Sequence, residues 1–452
     1  MTGSDRTRRP RILYLCFYFP PSRASGVYRG VATANVLARS GWDVTVLAAP
    51  ERFFRLASSS VDESLSGAVD PSVTVRRPEI DYFPWETDVR RMSWLRCRFP
   101  EVAARRYERK RERGFPERYA SWGDEAVKTG RGLHRRSPFD AVLATGNPYA
   151  AFAAAWRLNR ATGVPYVLDN RDAWTLDLFE NRDKFKPGHP AWEWEERFMR
   201  TASGVCFVNE ALRAWHRDRY PYAAEKMHVV PNGWDPGTVD IEEASRAPGG
   251  PGDRVRFGYL GTLTKQQPVE PLLEAFELFL GEGGRPASVL DFHGYLEFTN
   301  PGKRAMLEIL GLTGEPHERR VGRGEVRYRG PAPKTAVAEV YRDLDVLVFL
   351  AGGSRYVTSG KVFEYMATGK PVVSVHAPGS AAEEYLRDYP CWVRPDSLDP
   401  SDIAKALRRA ADLAAAPDDP RRLAARAYGA RFTRENSLAD LVGLLDSLAA
   451  PA

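Results

Sequence analysis

Cysteine is scarce in this chain: Cys16, Cys97, Cys206 and Cys391 are the only four in 452 residues, with no C-x-x-C pair and no metal-like spacing. Such scatter excludes a disulfide scaffold and fits free thiols in a reducing cytoplasm. Long apolar runs are missing too. No stretch approaches the roughly 18 consecutive apolar residues of a membrane span. The N-terminal MTGSDRTRRPR passes into an apolar strand pattern without a signal-peptide core. The seven histidines form no H-E-x-x-H and no pair at ligand spacing, so no metal site is expected. G-x-G-x-x-G does not follow the first strand and G-x-x-x-x-G-K-[ST] is absent, which argues against nicotinamide dehydrogenases and P-loop enzymes. No cofactor is expected.

What remains is a globular composition, 43% hydrophobic and 27% charged, with 65 Lys+Arg against 59 Asp+Glu for a net of +6. At roughly 100 to 200 residues per domain the length predicts two to three domains. Arg11–Phe17 (RILYLCF) is the apolar run of a strand covered on both faces. Pro20 and Pro21 end it, Ser22 to Gly26 form a small-residue loop, and Val27, Val31, Ala34 and Leu37 carry a helix to Arg39. Trp42–Ala48 is the next strand, and others are predicted at Ala141–Thr145, Tyr166–Asp169, Gly204–Asn209 and His228–Val230. Helices such as Ala150–Arg160 and Trp192–Thr201 alternate with them. This rhythm builds one parallel sheet.

Gly and Pro cluster without apolar periodicity in Glu242–Arg254, which reads as a linker. After it the same grammar restarts, with strands at Arg256–Leu260, Ser288–His293, Val326–Tyr328, Asp345–Leu350 and Pro371–Val375. Helices are predicted at Glu270–Leu280, Ala336–Arg342 and Val362–Thr368. The last fifty residues read as helical, Pro400–Ala415 and Pro420–Ala450, interrupted at Arg431–Asn436. The fold class is α/β, with two doubly wound Rossmann-like halves facing a cleft where ligands meet the carboxyl ends of the strands.

The most informative segment is Val357–Val375, VTSGKVFEYMATGKPVVSV. Thr358, Ser359 and Gly360 are cap-like, so a helix begins beside them and its free N–H groups suit a diphosphate. Lys361 adds a cation there, and Glu364, one turn in, can accept two hydrogen bonds from a vicinal diol such as a ribose. The plainer alternative is a capped helix with a solvated glutamate.

SGKVFEYMATGKPVV resembles the nucleotide-binding helix of retaining GT-B glycosyltransferases of family 4. The resemblance runs along most of the chain: Arg11–Ala49 is similar to the opening strand, Pro-Pro loop and second strand of that family. Asp169-Asn170-Arg171-Asp172-Ala173-Trp174 resembles its Arg-Asp-x-Trp loop, Val230-Pro231-Asn232-Gly233-Trp234-Asp235 the close of its first domain, and Gly258-Tyr259-Leu260-Gly261-Thr262 the glycine turn opening its second. The resemblance implies an acceptor-binding domain over 1–240 with a basic insertion at about 89–136, a nucleotide-sugar domain over 253–430, and a C-terminal helix, 431–452, packing back on the first domain. It implies a UDP or GDP sugar as donor, an unidentified acceptor, and transfer with retention that needs no metal. Glu364 would bind the ribose and Ser359, Gly360 and Lys361 the diphosphate, with Gly26 closing from the first domain. Two positions depart from the family. Tyr356 stands where a first glutamate is common, and Thr262 where an arginine usually clamps the diphosphate, leaving Lys265 nearby.

Arg171 and Asp172 read either as a local salt bridge or as the catalytic pair that contacts sugar or acceptor. Asp343-Leu344-Asp345 matches an Asp-x-Asp metal motif of another fold but falls at a helix-to-strand boundary, and His293 at a strand end reads as structural. Val89–Arg136 holds 15 Lys+Arg and 6 Asp+Glu, with Trp94, Leu95, Phe99, Phe115, Tyr119 and Trp122 among them. Basic charge interleaved with aromatics suits an anionic membrane surface, a polyprenyl-diphosphate acceptor or RNA; the plainer alternative is a solvated arginine-rich helix capping the first domain, with Glu101, Glu108 and Glu112 as local partners. No nucleic acid is expected as a partner. The resulting expectation is a cytoplasmic bacterial hexosyltransferase, peripheral at the inner face of the membrane if the basic segment binds lipid. The alternatives are a GT-B nucleotide-sugar epimerase and an inactive nucleotide-sugar-binding protein.

Overall fold

The computed structural model describes residues 8–57, 61–112, 114–237, 239–246, 254–281, 287–297, 299–416 and 418–450. Residues 1–7, Arg113 of the basic segment, residues 247–253 (most of the expected linker) and residues 451–452 lie outside the described residues. The chain divides into two compact units. The first comprises Met1–Asp177, Arg182–Pro231 and Leu438–Ala452, and the second Leu178–Asn181 and Asn232–Ser437.

Strands in the first unit are β1 (Arg11–Leu15), β2 (Asp43–Leu47), β3 (Thr74–Arg76), β4 (Ala141–Gly146), β5 (Tyr166–Asn170), β6 (Leu176–Asp177), β7 (Arg182–Asp183), β8 (Gly204–Phe207) and β9 (Met227–Val229). Seven of them form one sheet in the order β3-β2-β1-β4-β5-β8-β9, and every pairing in it is parallel. β6 and β7 make a separate antiparallel hairpin. The apolar runs read as strands are buried because a parallel sheet is covered on both faces. The last helix, Arg434–Ala449, places Leu438, Leu441 and Leu445 in this unit's core, and the Trp42 indole N–H donates to Asp446 at 2.9 Å.

The basic stretch differs from its sequence reading as one insertion. It splits into helices Trp94–Arg98, Pro100–Glu112 and Ala120–Arg136. The third is a core helix, with Trp122 and Ala126 fully buried. Gly123 and Gly130 bring it so close to its neighbours that a Cβ would meet Ala150 O at 2.9 Å and Leu13 Cδ2 at 3.0 Å respectively.

At the carboxyl end of β5 a charged pair is sealed in the interior. Arg29 and Asp169 are 3% and 1% exposed and meet in a two-pronged ion pair, Nε to Oδ2 at 2.9 Å and Nη2 to Oδ1 at 2.7 Å. Thr145 adds a hydroxyl to Oδ2 at 3.0 Å, and the guanidinium also donates to Pro231 O at 2.9 Å and Val230 O at 3.1 Å. The pair therefore ties helix Val27–Arg39 to β4, β5 and the segment after β9.

The second unit repeats the plan with β10 (Arg254–Leu260), β11 (Ala287–His293), β12 (Glu318–Val321), β13 (Gly324–Gly330), β14 (Val346–Leu350), β15 (Val372–Val375) and β16 (Trp392–Val393). The order is β12-β13-β11-β10-β14-β15-β16, with only the edge strand β12 antiparallel. Alternate residues of β14 feed two cores: Val346, Val348 and Leu350 on one face, Leu347 and Phe349 on the other. Period-two alternation of side chains makes this unavoidable. The expected break at Arg431–Asn436 is shorter, since a helix resumes at Arg434. There Trp234 N–H donates to Phe432 O at 2.9 Å and Arg434 N–H to Trp234 O at 2.7 Å, so the segment after Pro231 joins the second unit rather than the first, as the boundary at 240 had it. No helix among the described residues is long and apolar enough to cross a membrane.

Removing one member of a buried ion pair strands the other charge, at about 3–5 kcal/mol. Arg29→Met is expected to cost that much in urea unfolding, and adding Asp169→Leu to it is expected to restore part of the loss. A double variant no more stable than the single would place the cost in packing instead.

Candidate functional site

Helix Gly360–Ala367 starts where the cap residues suggest: Ser359 is its N-cap, and its hydroxyl accepts from Lys361 N–H at 3.3 Å. A Cβ on Gly360 would have no heavy atom within 4 Å, so the first turn is open on that side. The loop before the helix is held by Asn232, whose amide donates to Thr358 O at 3.2 Å.

Glu364 lies in the second turn, 8% exposed. Its Oε1 accepts from Lys334 Nζ at 3.0 Å, and its Oε2 from the Tyr341 hydroxyl at 2.6 Å and from Lys361 Nζ at 3.0 Å. Burial alone would raise its pKa; Lys361, Lys334 and the tyrosine hydroxyl overcome that and bring it from 4.5 to about 2. The carboxylate is therefore a fixed anion. Burial also lowers Lys361, against the pull of Glu364.

Tyr341 is itself anchored from behind. Lys370 is buried, and its ammonium donates to the carbonyls of Tyr341 (2.5 Å), Arg342 (3.0 Å) and Leu344 (2.6 Å). Tyr341 and Arg342 end helix Val337–Arg342 and Leu344 follows it, so the ammonium sits at the carbonyl end of the helix, where a cation also suits the dipole. Burial pushes Lys370 down to about 7 against the pull of Asp345. Lys334, Tyr341 and Lys370 were not singled out in sequence, and Asn232 figured there only in the motif that closes the first domain.

The glycine turn after β10 adjoins the same helix. Tyr365 OH accepts from Leu260 N–H at 2.9 Å. Gly294, at φ 127°, lets the next loop approach so closely that a Cβ would sit 1.8 Å from Gly261 O. Thr262 contributes its carbonyl, which accepts from Tyr259 OH at 2.9 Å. Lys265 is exposed, and its backbone N–H donates to Glu297 at 2.6 Å. The structure thus joins Ser359, Gly360, Lys361 and Glu364 in one cluster, while Thr262 and Lys265 make no hydrogen bond to it among the described residues.

In the first unit Gly26 and Arg171 come together. Gly26 precedes helix Val27–Arg39, and a Cβ there would fall 2.2 Å from Arg171 Nη1. Arg171 turns its Nε to Gly146 O at 2.8 Å, and its nearest approach to Asp172 is 3.9 Å. Asp172 keeps its side chain 43% exposed, while its carbonyl accepts from Tyr149 OH at 2.8 Å. Below it, Glu117 accepts from the N–H groups of Tyr149 (3.1 Å) and Ala150 (2.6 Å), and burial pushes its carboxyl up to about 7.

The discounted motifs are structural. Asp345 accepts from Arg256 N–H at 2.8 Å and Asp343 from Arg342 Nε at 3.0 Å. No group of three or more His, Cys, Asp or Glu that could hold a metal ion occurs among the described residues. Away from the Glu364 cluster, the first unit has a cavity of about 470 Å³ lined by Arg52, Tyr82, Phe83, Glu86, Arg91 and Arg96, among others.

Two family models cover most of the chain, "Glycosyl transferase 4-like domain" over residues 31–233 and "Glycosyl transferases group 1" over residues 254–412. No curated protein matches it. Among solved structures it is similar to a glycosyltransferase from Rickettsia africae, at TM-score 0.65 and 10% identity over 98% of this chain and 100% of that one. It is also similar to HepE from Anabaena in complex with UDP and glucose, at TM-score 0.58 and 13% identity over 97% and 99%. A third is sucrose-phosphate synthase from Thermosynechococcus elongatus, at TM-score 0.62 and 13% identity over 97% and 99%. The two Rossmann-like units are those of the GT-B glycosyltransferases. The chain belongs to the group 1 glycosyltransferases.

The Glu364 shift has a definite sign. A carboxyl whose folded pKa is depressed stabilises the fold fully above its ordinary 4.5, and that contribution is lost as pH falls toward about 2. A hydrogen bond to a charged group contributes about 1.5–3 kcal/mol. Lys334→Met is expected to lower the unfolding free energy by that amount near neutral pH, with the deficit narrowing as pH falls below 4.5. A deficit that does not vary with pH in urea titrations would assign Lys334 a packing role.

Proposed function

We propose that this glycosyltransferase moves a sugar from a nucleotide-diphosphate sugar to an acceptor hydroxyl with retention at the anomeric carbon. The observation that carries the reading is the Glu364 carboxylate, held ionised by two lysines one turn into a helix with a capped N-terminus. A ribose diol presents two hydroxyl donors, and a diphosphate needs N–H donors and cations. UDP is the first choice of base, supported by HepE, which is described with UDP and glucose.

An ionised carboxylate offers about four lone-pair sites, and Lys334, Lys361 and Tyr341 fill three. A diol needs two, so one donor must leave. Tyr341 is fixed through Lys370, so a lysine gives way, and its freed ammonium can turn to the diphosphate. In the transfer the bond between the anomeric carbon and the diphosphate oxygen breaks and a bond to the acceptor oxygen forms. The acceptor proton passes to the departing diphosphate. The protein's part is positioning and stabilising the charge on that leaving group. Arg171 serves as a positioning residue, holding the Gly26 turn, and Asp172 supplies an acceptor for a sugar hydroxyl.

Calorimetry with UDP-, GDP- and dTDP-sugars tests this. Glu364→Ala is expected to abolish detectable donor binding and Glu364→Gln, which keeps the shape, to weaken it strongly; circular dichroism confirms the fold. Unchanged donor affinity in both variants would remove Glu364 from the site. Nucleoside diphosphate release that requires an acceptor supports transfer, whereas conversion of the donor sugar by the protein alone would establish an epimerase.

A further inference from the structure

Large apolar side chains are seldom left in water in clusters, and one such cluster lies in the first unit. Val89 (67% exposed), Trp94 (73%), Phe99 (47%) and Val102 (52%) fall within one short stretch. The Trp94 and Phe99 rings meet edge to face at 6.0 Å, so they form a contiguous patch rather than isolated side chains. Contiguous apolar surface of this kind marks an interaction site.

The charge around the patch is sorted. Residues 89–112 carry nine Lys+Arg and three Glu, a net of +6, equal to that of the whole chain. At about 100° per residue, Val102, Arg106 and Arg109 share one face of helix Pro100–Glu112, and Phe99 lies immediately before its first residue. Ala103, the one buried residue among the described side chains of that helix, points to the neighbouring sector. Glu101 and Glu108 project from the opposite side of the helix wheel, and Glu101 is taken up by Arg105 at 3.2 Å. Arg106 and Arg109 make no ion pair among the described residues. A solvated helix stabilised by its own i,i+4 pairs would intersperse the signs instead.

We infer that residues 89–109 form a docking face for an anionic lipid bilayer, with Trp94, Phe99, Val89 and Val102 entering the headgroup region and Arg106 and Arg109 meeting lipid phosphates. Aromatic side chains suit that interface, where one part is apolar and the rest wet, and arginines pair with phosphate. RNA would meet the arginines but leaves no role for exposed valines. This inference stands apart from the donor reading, since none of these residues belongs to the Glu364 cluster.

Vesicle co-sedimentation of the full chain tests it. Binding is expected to phosphatidylcholine vesicles containing phosphatidylglycerol and not to phosphatidylcholine alone, weakening with added salt as screening shortens the reach of charge. Trp94→Ser with Phe99→Ser, and separately Arg106→Glu with Arg109→Glu, are each expected to weaken binding at least about tenfold. All four positions are exposed, and melting curves verify that the variants fold. The control Arg9→Glu with Arg39→Glu makes the same charge change before β1 and at the end of helix Val27–Arg39, and is expected to retain binding. Failure of the parent protein to bind anionic vesicles overturns the inference. So does an equal loss in the control, which would reduce the effect to net charge, or binding to RNA oligonucleotides in place of vesicles.

Discussion

A buried carboxylate that stays ionised is the constraint around which the second unit is arranged. An isolated anion in an apolar interior would cost more than a small domain can tolerate, so it must be paired or neutralised. Glu364 is paired three ways, and each partner comes from a different place: Lys361 from its own helix, Lys334 from the segment after β13, Tyr341 from the helix before β14. Those elements cannot shift independently without exposing an unmatched charge. Lys370 extends the same logic one layer deeper, since its ammonium closes the carbonyl end of the helix that carries Tyr341. Position and charge state of the carboxylate are thus set together.

The first unit has its own sealed pair in Arg29 and Asp169, and it too sits at the carboxyl end of the sheet. Two residues beyond Asp169 the chain reaches Arg171, whose guanidinium packs where a side chain on Gly26 would be. The buried pair anchors the start of helix Val27–Arg39, and the loop preceding that helix is where Gly26 lies. In this arrangement Arg171 is spent on backbone carbonyls and on the glycine, which leaves Asp172 as the loop's outward-facing group.

Much of this frame was legible in sequence because central parallel strands are buried on both faces and show as apolar runs, as RILYL and VLVFL do. The edges were not. β12 reads ERRV and β16 is only Trp392–Val393, so neither carries an apolar period. The basic stretch misled because charge was counted along the chain, and Ala120–Arg136 carries its arginines outward while Trp122 and Ala126 face the core. In the candidate site, Ser359 could be read as the N-cap because capping is local. Lys334 and Tyr341 stand 30 and 23 residues from Glu364 and Asn232 stands 126 from Thr358, and no spacing rule connects residues that meet only through the sheet.

The total charge of the chain carries little information, whereas its placement carries a good deal. The +6 of residues 89–112 leaves the rest of the molecule formally neutral. A neutral body has no long-range preference for a polyanion, and a cationic patch decays in reach within about 10 Å at ordinary ionic strength. Such a patch acts only on what comes close to it. Pairing that short-range field with exposed Trp94 and Phe99 selects for surfaces that are at once anionic and apolar just beneath, a combination that few soluble polyanions present and an acidic bilayer does. The same residues would be a liability on a protein that met only water, since an exposed tryptophan invites self-association. On the docking inferred above, one anionic surface would cover both the arginines and the apolar side chains, so charge and apolar area are best read as one feature of the first unit.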